Sequence, residues 1–142
     1  MAEYVQPDLS IFGEPHIKVY RETNGEEGYL WNGVPTLLLT TSGRRSGEQR
    51  TSALIFGRDG DDLLVVASQG GLPNHPNWYL NLDANPDVTV QVKGDVFAAT
   101  ARTASADEKA RLWSIMTDLW PNYDAYQERT EREIPVVVLS PK

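Results

Sequence analysis

Three arginines lie close together in residues 43–50, a polar stretch with two glycines. Arg44, Arg45 and Arg50 are accompanied by a single acidic residue, Glu48, although the whole chain has a net charge of -7. Guanidinium groups pair with phosphate and carboxylate oxygens in a bidentate manner, and neighbouring serine hydroxyls add further donors. The stretch is therefore interpreted as a binding loop for a polyanionic ligand such as a phosphate. A solvated hairpin tip is the alternative interpretation.

A second loop, rich in glycine, follows a predicted strand. Ser68-Gln69-Gly70-Gly71 can bring backbone N–H groups close to a ligand, as anion-binding nests do. The chain lacks both the Gly-x-Gly-x-x-Gly fingerprint of dinucleotide-binding folds and the lysine of nucleotide-binding phosphate loops. The loop is consistent with an anion contact, but it gives no support to NAD or ATP as the cofactor.

Four aromatic residues, Trp113, Trp120, Tyr123 and Tyr126, lie within 14 residues of one another. The three-residue spacing of the last three places them on one side of the segment if it is helical. Aromatic residues with this spacing form either the protein core or the wall of an apolar substrate pocket. The proline and the polar residues between them favour a loop-like, partly exposed segment, and therefore a pocket wall.

Composition excludes several other kinds of site. The chain has no cysteine and only two histidines, His16 and His75, which excludes thiolate nucleophiles and disulfides and predicts no metal centre. With 13 Lys plus Arg against 20 Asp plus Glu, the charge balance argues against a nucleic-acid partner. No Gly-x-Ser-x-Gly elbow supports a serine hydrolase. His75, next to Pro76, is more typical of a helix cap or polar contact than of an acid–base catalyst.

Alternating hydrophobicity and turn residues predict a mostly antiparallel barrel. Asn32-Gly33 favours a tight hairpin turn, and Ser105 with Glu108 has the spacing of a helix-capping box. The predicted strands cover 27–31, 35–41, 50–56, 63–67, 88–92, 96–102 and 134–139, and the predicted helices begin near residues 15, 76 and 105. Sheets of short hairpin strands remove their edges by closing into a barrel. The predicted fold class is therefore mainly β (α+β), with two or three flanking helices.

The length of 142 residues predicts a single domain. Residues 1–14 are predicted to form a mobile N-terminal arm, and residues 15–142 the domain. No apolar stretch approaches the roughly 20 residues that span a bilayer, and the acidic start lacks the features of a secretion signal. These features predict a cytoplasmic protein without a transmembrane segment. They leave open both peripheral contact with a membrane and the oligomeric state.

Several motifs occur together, in the order found in one known family. They are Thr40-Thr41-Ser42-Gly43-Arg44-Arg45-Ser46-Gly47, Arg50-Thr51, Ala67-Ser68-Gln69-Gly70-Gly71, Asn74-His75-Pro76-Asn77-Trp78-Tyr79, Trp120-Pro121-Asn122-Tyr123-Asp124-Ala125-Tyr126 and Arg132-Glu133-Ile134-Pro135. Through these motifs the chain resembles the deazaflavin-dependent nitroreductases and quinone reductases from about residue 15 onwards.

The resemblance implies a split β-barrel, related to flavin-nucleotide-binding barrels, that binds the reduced deazaflavin coenzyme F-420. Such an enzyme transfers a hydride from the coenzyme to a small planar acceptor: a quinone, an enone or other activated alkene, or a nitroaromatic compound. By motif, the resemblance assigns the coenzyme's phosphate and polyglutamate tail to Arg44, Arg45, Ser46 and Arg50. The other coenzyme contacts that it implies are Ser52, Leu54, Ala67, Ser68, Gln69, Gly70 and Trp78.

Trp120, Tyr123 and Tyr126 are then expected to close over the acceptor as its binding residues. Hydride transfer requires the donor and acceptor to be held face to face with water excluded. We hypothesise that the catalytic group is the hydroxyl of Tyr123 or Tyr126, which would hydrogen-bond the acceptor oxygen on which negative charge develops. Water is the alternative source of the proton.

The chain departs from the family pattern at three positions. Gln69 replaces the lysine of a Ser-Lys-Gly-Gly pattern, Trp120 stands where some nitroreductases have a tyrosine, and Ala53 where proline is common. The missing lysine predicts weaker coenzyme binding, and Trp120 predicts a changed acceptor preference. A reductase that uses FMN, a coenzyme carrier without turnover, and a non-catalytic interaction module are the alternative functions.

Overall fold

Eight strands and four α-helices make up the part of the chain that the computed structural model describes, residues 2–142. In chain order they are α1 (Glu14–Thr23), β1 (Leu30–Trp31), β2 (Val34–Ser42), β3 (Gln49–Ile55), β4 (Gly57–Asp59), β5 (Asp62–Val66), α2 (Asn77–Ala84), β6 (Asp87–Val92), β7 (Asp95–Thr103), α3 (Ala106–Leu119), α4 (Asn122–Glu128) and β8 (Val136–Pro141). A 3-10 turn, Gln69–Gly71, lies between β5 and α2. None of these helices is long and apolar enough to cross a membrane.

The strands form one curled, antiparallel sheet. Its order is β1-β2-β6-β7-β8-β5-β4, and β3 also pairs with β2. A single residue, Phe56, separates β3 from β4, and its N–H donates to the carbonyl oxygen of Pro35 at 3.1 Å. Because β3 pairs with β2 and β4 pairs with β5, this bent segment joins the two ends of the sheet. The predicted mainly β fold with an antiparallel barrel is confirmed.

Successive side chains of the central strands point to opposite faces of the sheet and pack into two separate apolar cores. In β5, Leu63 and Val65 belong to the core inside the barrel. Leu64 and Val66 pack outside the barrel against Leu112 of α3, in a second core that is called the outer core. The last strand, β8, is buried on both faces over its first four residues, as the sequence predicted. Buried β-branched and leucine side chains on both faces make β5 and β8 the centre of the fold.

The strand predicted over 27–31 is observed only at Leu30–Trp31. Gly25 and Gly28 have φ angles of 82° and 97°, which an extended strand does not adopt. The carbonyl oxygen of Gly28 hydrogen-bonds the Nε2 atom of His16 in α1 at 2.7 Å. The segment before β1 is therefore a turn packed on α1. The sequence prediction also missed the three-residue strand β4.

Residues 122–128 form helix α4, so the prediction of a loop-like, partly exposed segment is wrong. Pro121 stands just before the first helical residue, where a missing N–H costs nothing. The N–H groups of Tyr123 and Asp124 donate to the carbonyl oxygens of Trp120 and Pro121 at 3.1 Å. Tyr123 is buried in the outer core. Packing of this kind stabilises a short helix that local propensity alone would leave marginal.

Of the predicted N-terminal arm, residues 1–14, Met1 lies outside the described residues and Glu14 is the first residue of α1; residues 2–13 have neither helix nor strand and lie against other parts of the chain. The N–H of Val5 donates to Oδ1 of Asn122 at 2.8 Å, and Nδ2 of Asn122 donates back to the carbonyl oxygen of Val5 at 2.7 Å. The indole N–H of Trp31 donates to the carbonyl oxygen of Ile11 at 2.7 Å. Asp8 and Asn32 exchange two more hydrogen bonds, so the arm is attached at several points, while its mobility stays a prediction.

Candidate active site

A cleft of about 680 Å³ opens where several parts of the chain meet. Strand β3 contributes residues 51–55, the loop after β5 contributes residues 68–70, and the start of α2 contributes residues 76–78. Trp120 after α3, Tyr123 and Tyr126 of α4, side chains of the N-terminal arm and residues of α1, β1 and β2 also line it. A concave site of this size at the junction of several elements is the usual place for a small ligand.

Nine of the predicted site residues line this cleft. They are Ser52, Leu54, Ser68, Gln69, Gly70, Trp78, Trp120, Tyr123 and Tyr126. The side chain of Ala67 instead lies fully buried in the core inside the barrel. The four residues of the arginine loop (residues 43–50) that were predicted to bind the coenzyme tail are exposed and lie outside the cleft lining: Arg44, Arg45, Ser46 and Arg50.

The arginine loop is held by a residue that the sequence analysis missed, Asn81 of α2. Its Oδ1 atom accepts hydrogen bonds from the backbone N–H of Arg44 at 3.1 Å and from Nη1 of the same arginine at 3.0 Å. Its Nδ2 atom donates to Oγ1 of Thr41 at 3.3 Å. Strand β3 connects the loop to the cleft, because Arg50 directly precedes the lining residue Thr51. A preformed cationic loop therefore adjoins the cleft.

The 68–71 loop has an unusual backbone. The φ angles of Gln69, Gly70 and Gly71 are 46°, 64° and 83°, and a glutamine at positive φ is uncommon. The N–H of Gly71 donates to the carbonyl oxygen of Ser68 at 2.9 Å, which closes the turn. The loop presents residues 68–70 to the cleft and keeps Gly71 buried behind them.

Gly71 lies against the backbone of α4, which leads to a stability prediction. A Cβ at this position would be 2.6 Å from the carbonyl oxygen of Tyr126 and 3.0 Å from its Cα. We expect Gly71→Ala to lower the free energy of unfolding by about 2–3 kcal/mol, because the helix backbone must move. Urea denaturation measures the loss. Gly70→Ala is the matched control, because it has a similar φ of 64° but no atom within 4 Å; equal losses in both variants would contradict the packing argument.

Aromatic side chains line another part of the cleft and are called here the aromatic wall: Tyr4, Phe12, Trp31, Trp120 and Tyr126. The ring centroids of Trp31 and Trp120 are 5.4 Å apart, and those of Tyr4 and Tyr126 are 6.0 Å apart. The indole N–H of Trp120 donates to the hydroxyl of Tyr126 at 3.4 Å. Contacting rings of this kind suit a flat, apolar ligand.

Tyr123 combines deep burial with access to the cleft. It is 5% exposed, and no hydrogen bond joins its hydroxyl to another residue of the described part of the chain. Burial, and to a lesser extent the neighbouring Tyr126, raise the pKa of Tyr123 above its usual value. The hydroxyl therefore stays protonated at physiological pH and is available as a hydrogen-bond donor. The hydroxyl of Tyr126 accepts a bond from the indole N–H of Trp120 and keeps its own proton for donation.

His75 is not part of the cleft lining. Its Nδ1 atom accepts a hydrogen bond from Nη1 of Arg132 at 3.1 Å, and its ring centroid is 4.8 Å from that of Tyr79. Burial, and then the positive charge of Arg132, lower the pKa of His75 below its usual value, although Asp83 acts in the opposite direction. This geometry agrees with the interpretation of His75 as a polar contact.

The lowered pKa of His75 predicts a dependence of stability on pH. In the unfolded chain the histidine takes up its proton near the ordinary value of 6.5, whereas the folded protein resists protonation. The stabilisation is thus complete above that value and is lost as the pH falls through the folded-state pKa. Between about pH 7 and about pH 5.5 the Tm of the wild type should fall more than that of His75→Asn. Parallel Tm curves would refute this role.

Two further arginines contribute to the site, and the sequence analysis gave neither a role. Nη1 of Arg129 donates to the carbonyl oxygen of Gly70 at 3.2 Å, and its guanidinium carbon lies 4.3 Å from the ring centroid of Tyr4. Arg132 donates to the carbonyl oxygens of Ser68 and Leu72, at the two ends of the 68–71 loop. The Arg132-Glu133-Ile134-Pro135 motif was a usable signal for Arg132, whereas Trp31 and the arm have no periodicity that could have identified them.

Known proteins resemble this chain in both sequence and fold. The family model for F420H(2)-dependent quinone reductase matches residues 14–141. An F420H(2)-dependent quinone reductase of Mycobacterium tuberculosis (strain ATCC 25618 / H37Rv) is 46% identical over 129 residues, which are 88% of this chain and 87% of that protein. The solved structure of an F420-H2 dependent reductase has 38% identity and a TM-score of 0.70, covering 75% of this chain and 94% of that one.

Proteins with little sequence similarity to this chain also have this fold. The crystal structure of an FAD-binding protein from Mesorhizobium loti has a TM-score of 0.54 at 14% identity, covering 75% of this chain and 78% of that one. At this identity the likeness concerns the fold alone. The predicted likeness in fold to flavin-binding barrels is confirmed.

Proposed function

Because the chain belongs to the F420H(2)-dependent quinone reductase family, we propose that its cleft binds the reduced deazaflavin coenzyme F-420 next to a quinone-like acceptor. The family, the cofactor and the reductase activity that the sequence resemblance implied are confirmed at the level of the family. The role of each residue belongs to the proposal. One observation carries it: residues 68–70, Trp78 and the hydroxyl of Tyr123, which has no hydrogen bond to another residue among 2–142, meet in a single cleft.

The chemistry of the donors near one part of the cleft fits an anionic coenzyme. Ser52, Ser68 and Gln69 offer hydroxyl and amide groups inside it, and Trp78 offers an apolar face to a flat ring. Outside it, Arg44 and Arg45 supply guanidinium groups for phosphate and carboxylate oxygens. We assign the coenzyme ring to the cleft and its charged tail to the arginine loop.

The hydroxyl of Tyr123 is the catalytic group in this proposal. When bound, the reduced coenzyme supplies a hydride to the acceptor. Tyr123, neutral and buried, donates a hydrogen bond to the acceptor oxygen, and this bond strengthens as negative charge develops there. The aromatic wall orients a flat acceptor and excludes water from the reacting atoms. Tyr126 positions the acceptor together with Trp120, whose indole N–H donates to the Tyr126 hydroxyl.

The mouth of the cleft favours an apolar acceptor. Leu9 and Phe12 of the arm line the cleft and are 50% and 60% exposed. Apolar side chains at an opening lower the free energy of an apolar molecule entering it. Quinones fit this chemistry best, and enones and nitroaromatic compounds share the flat shape and the oxygen acceptor.

Coenzyme binding and turnover test the proposal directly. The purified protein is titrated with reduced coenzyme F-420, and coenzyme oxidation is then followed without oxygen after a quinone, an enone and a nitroaromatic compound are added in turn. We expect saturable binding and acceptor-dependent oxidation, fastest with the quinone. Binding without oxidation by any acceptor would identify a carrier instead. Binding of FMN with no binding of coenzyme F-420 would identify a flavin reductase.

A further inference from the structure

The 68–71 loop cannot hold its shape by local interactions alone. Three successive residues have positive φ, and Gln69 at 46° is not a glycine. Such a conformation costs free energy and persists only where the surrounding structure fixes it. The loop lines the cleft through residues 68–70, so the group that fixes it also determines the shape of the site.

The guanidinium group of Arg132 provides that support with four hydrogen bonds. Its Nε donates to the carbonyl oxygen of Leu72 at 2.9 Å, and Nη2 donates to that of Ser68 at 2.6 Å. Nη1 donates to the carbonyl oxygen of Ala67 at 3.2 Å and to Nδ1 of His75 at 3.1 Å. One rigid, planar cation thus joins both ends of the loop.

Arg132 is itself fixed between α4 and β8. Its carbonyl oxygen accepts a hydrogen bond from Nε2 of Gln127 at 2.8 Å, and Oε1 of the same glutamine accepts one from the N–H of Ile134 at 3.0 Å. Ile134 is fully buried in the outer core. The guanidinium group therefore links the loop to the rigid centre of the fold. Arg132 is absent from the cleft lining, so its effect on a ligand must pass through the loop.

We propose that Arg132 is a positioning residue that holds the 68–71 loop ready for the coenzyme. The inference rests on the proposed function, because it takes residues 68–70 as coenzyme contacts. A loop already ordered before binding does not have to lose conformational freedom when the coenzyme arrives, and this raises affinity. The acceptor is held by the aromatic wall, and none of the hydrogen bonds of the Arg132 guanidinium group runs to a residue of that wall. Loss of Arg132 therefore weakens binding of the coenzyme and spares binding of the acceptor.

The test compares Arg132→Lys and Arg132→Gln with a matched control, Arg111→Gln. Arg111 also makes two guanidinium contacts, to Asp59 at 2.8 and 3.1 Å, but lies outside the cleft. Calorimetric titration with coenzyme F-420 is expected to give a Kd raised about tenfold in Arg132→Gln, raised by a smaller factor in Arg132→Lys and unchanged in the control. At saturating coenzyme, the KM for the quinone stays at the wild-type value. The lysine variant is affected less than the glutamine variant, because it keeps the charge but not the fork of donors.

Each failure has its own signature. A wild type that does not bind the coenzyme would overturn the proposed function. Folded Arg132 variants with wild-type Kd, or with Kd and the quinone KM raised together, would overturn the positioning role alone. If neither variant folds, amide hydrogen exchange of the wild type decides: slow exchange at Gly71 and Leu72 before coenzyme is added supports a preformed loop. Fast exchange that slows only on addition of coenzyme would overturn it.

Discussion

Replacing Tyr123 by phenylalanine is expected to lower kcat for quinone reduction by about a hundredfold. The variant keeps the ring that packs in the outer core and removes only the hydroxyl, which has no hydrogen bond within the described part of the chain. Removal of one donor to a developing oxyanion typically costs about 10²–10³ in kcat. Because the lost contact is made chiefly in the transition state, Kd for the coenzyme and KM for the quinone should change little. Stopped-flow oxidation of bound reduced coenzyme measures the effect.

Two other tyrosines supply the controls for this result. Tyr79→Phe also removes one hydroxyl, hydrogen-bonded to Oγ1 of Thr103 at 2.8 Å, from a ring outside the cleft lining. It should leave kcat unchanged. Tyr126→Phe should have a smaller effect than Tyr123→Phe, because the proposal gives Tyr126 a positioning role and Tyr123 the donor role; its hydroxyl only accepts the bond from Trp120 and keeps its own proton. A large loss in Tyr126→Phe with wild-type turnover in Tyr123→Phe would transfer the donor role to Tyr126.

The double substitution Arg44→Ala with Arg45→Ala is expected to raise Kd for the coenzyme by about a hundredfold. Each guanidinium group is assigned to a charged oxygen of the coenzyme, and a charge-assisted hydrogen bond of this type contributes about tenfold or more. Arg50 is left in place, because the carboxylate of Glu48, 3.0 Å away, offsets part of its charge, whereas the partner of Arg44, Asn81, is neutral. The Kd of the wild type should rise with salt, and that of the variant should rise less steeply, because exposed charges are screened.

A second double variant with the same loss of charge tests whether coenzyme binding depends on the arginine loop or only on the net charge of the protein. Arg58→Ala with Arg111→Ala also removes two exposed arginines, both outside the cleft lining and the arginine loop. If the arginine loop binds the coenzyme tail, this control keeps nearly the wild-type Kd. Equal increases in Kd for the two double variants would mean that only the net charge of the protein matters, and the assignment of the tail would be wrong.

Features that depend on neighbours a few residues apart could be predicted from the sequence. The Asn32-Gly33 turn forms with φ angles of 50° and 80°, as its two residue types allow. The N–H of Ser105 donates to Oε1 of Glu108 at 2.9 Å, as the capping-box spacing predicts. The barrel likewise follows from the alternation of apolar and polar residues, and nine cleft residues follow from motifs. Both kinds of pattern involve neighbouring positions of the chain.

Other features depend on contacts between residues far apart in sequence, and only the tertiary structure decided them. Helix α4 forms because the outer core buries its tyrosines, which overrides the proline and polar residues that suggested a loop. Val5 meets Asn122 across 117 positions, and Arg132 reaches the carbonyl oxygens of a loop more than 60 positions earlier. Such contacts satisfy buried hydrogen-bonding groups only after the chain has folded. They therefore leave no periodic pattern, and the sequence by itself determined the barrel and the binding motifs but not the supports that shape the cleft.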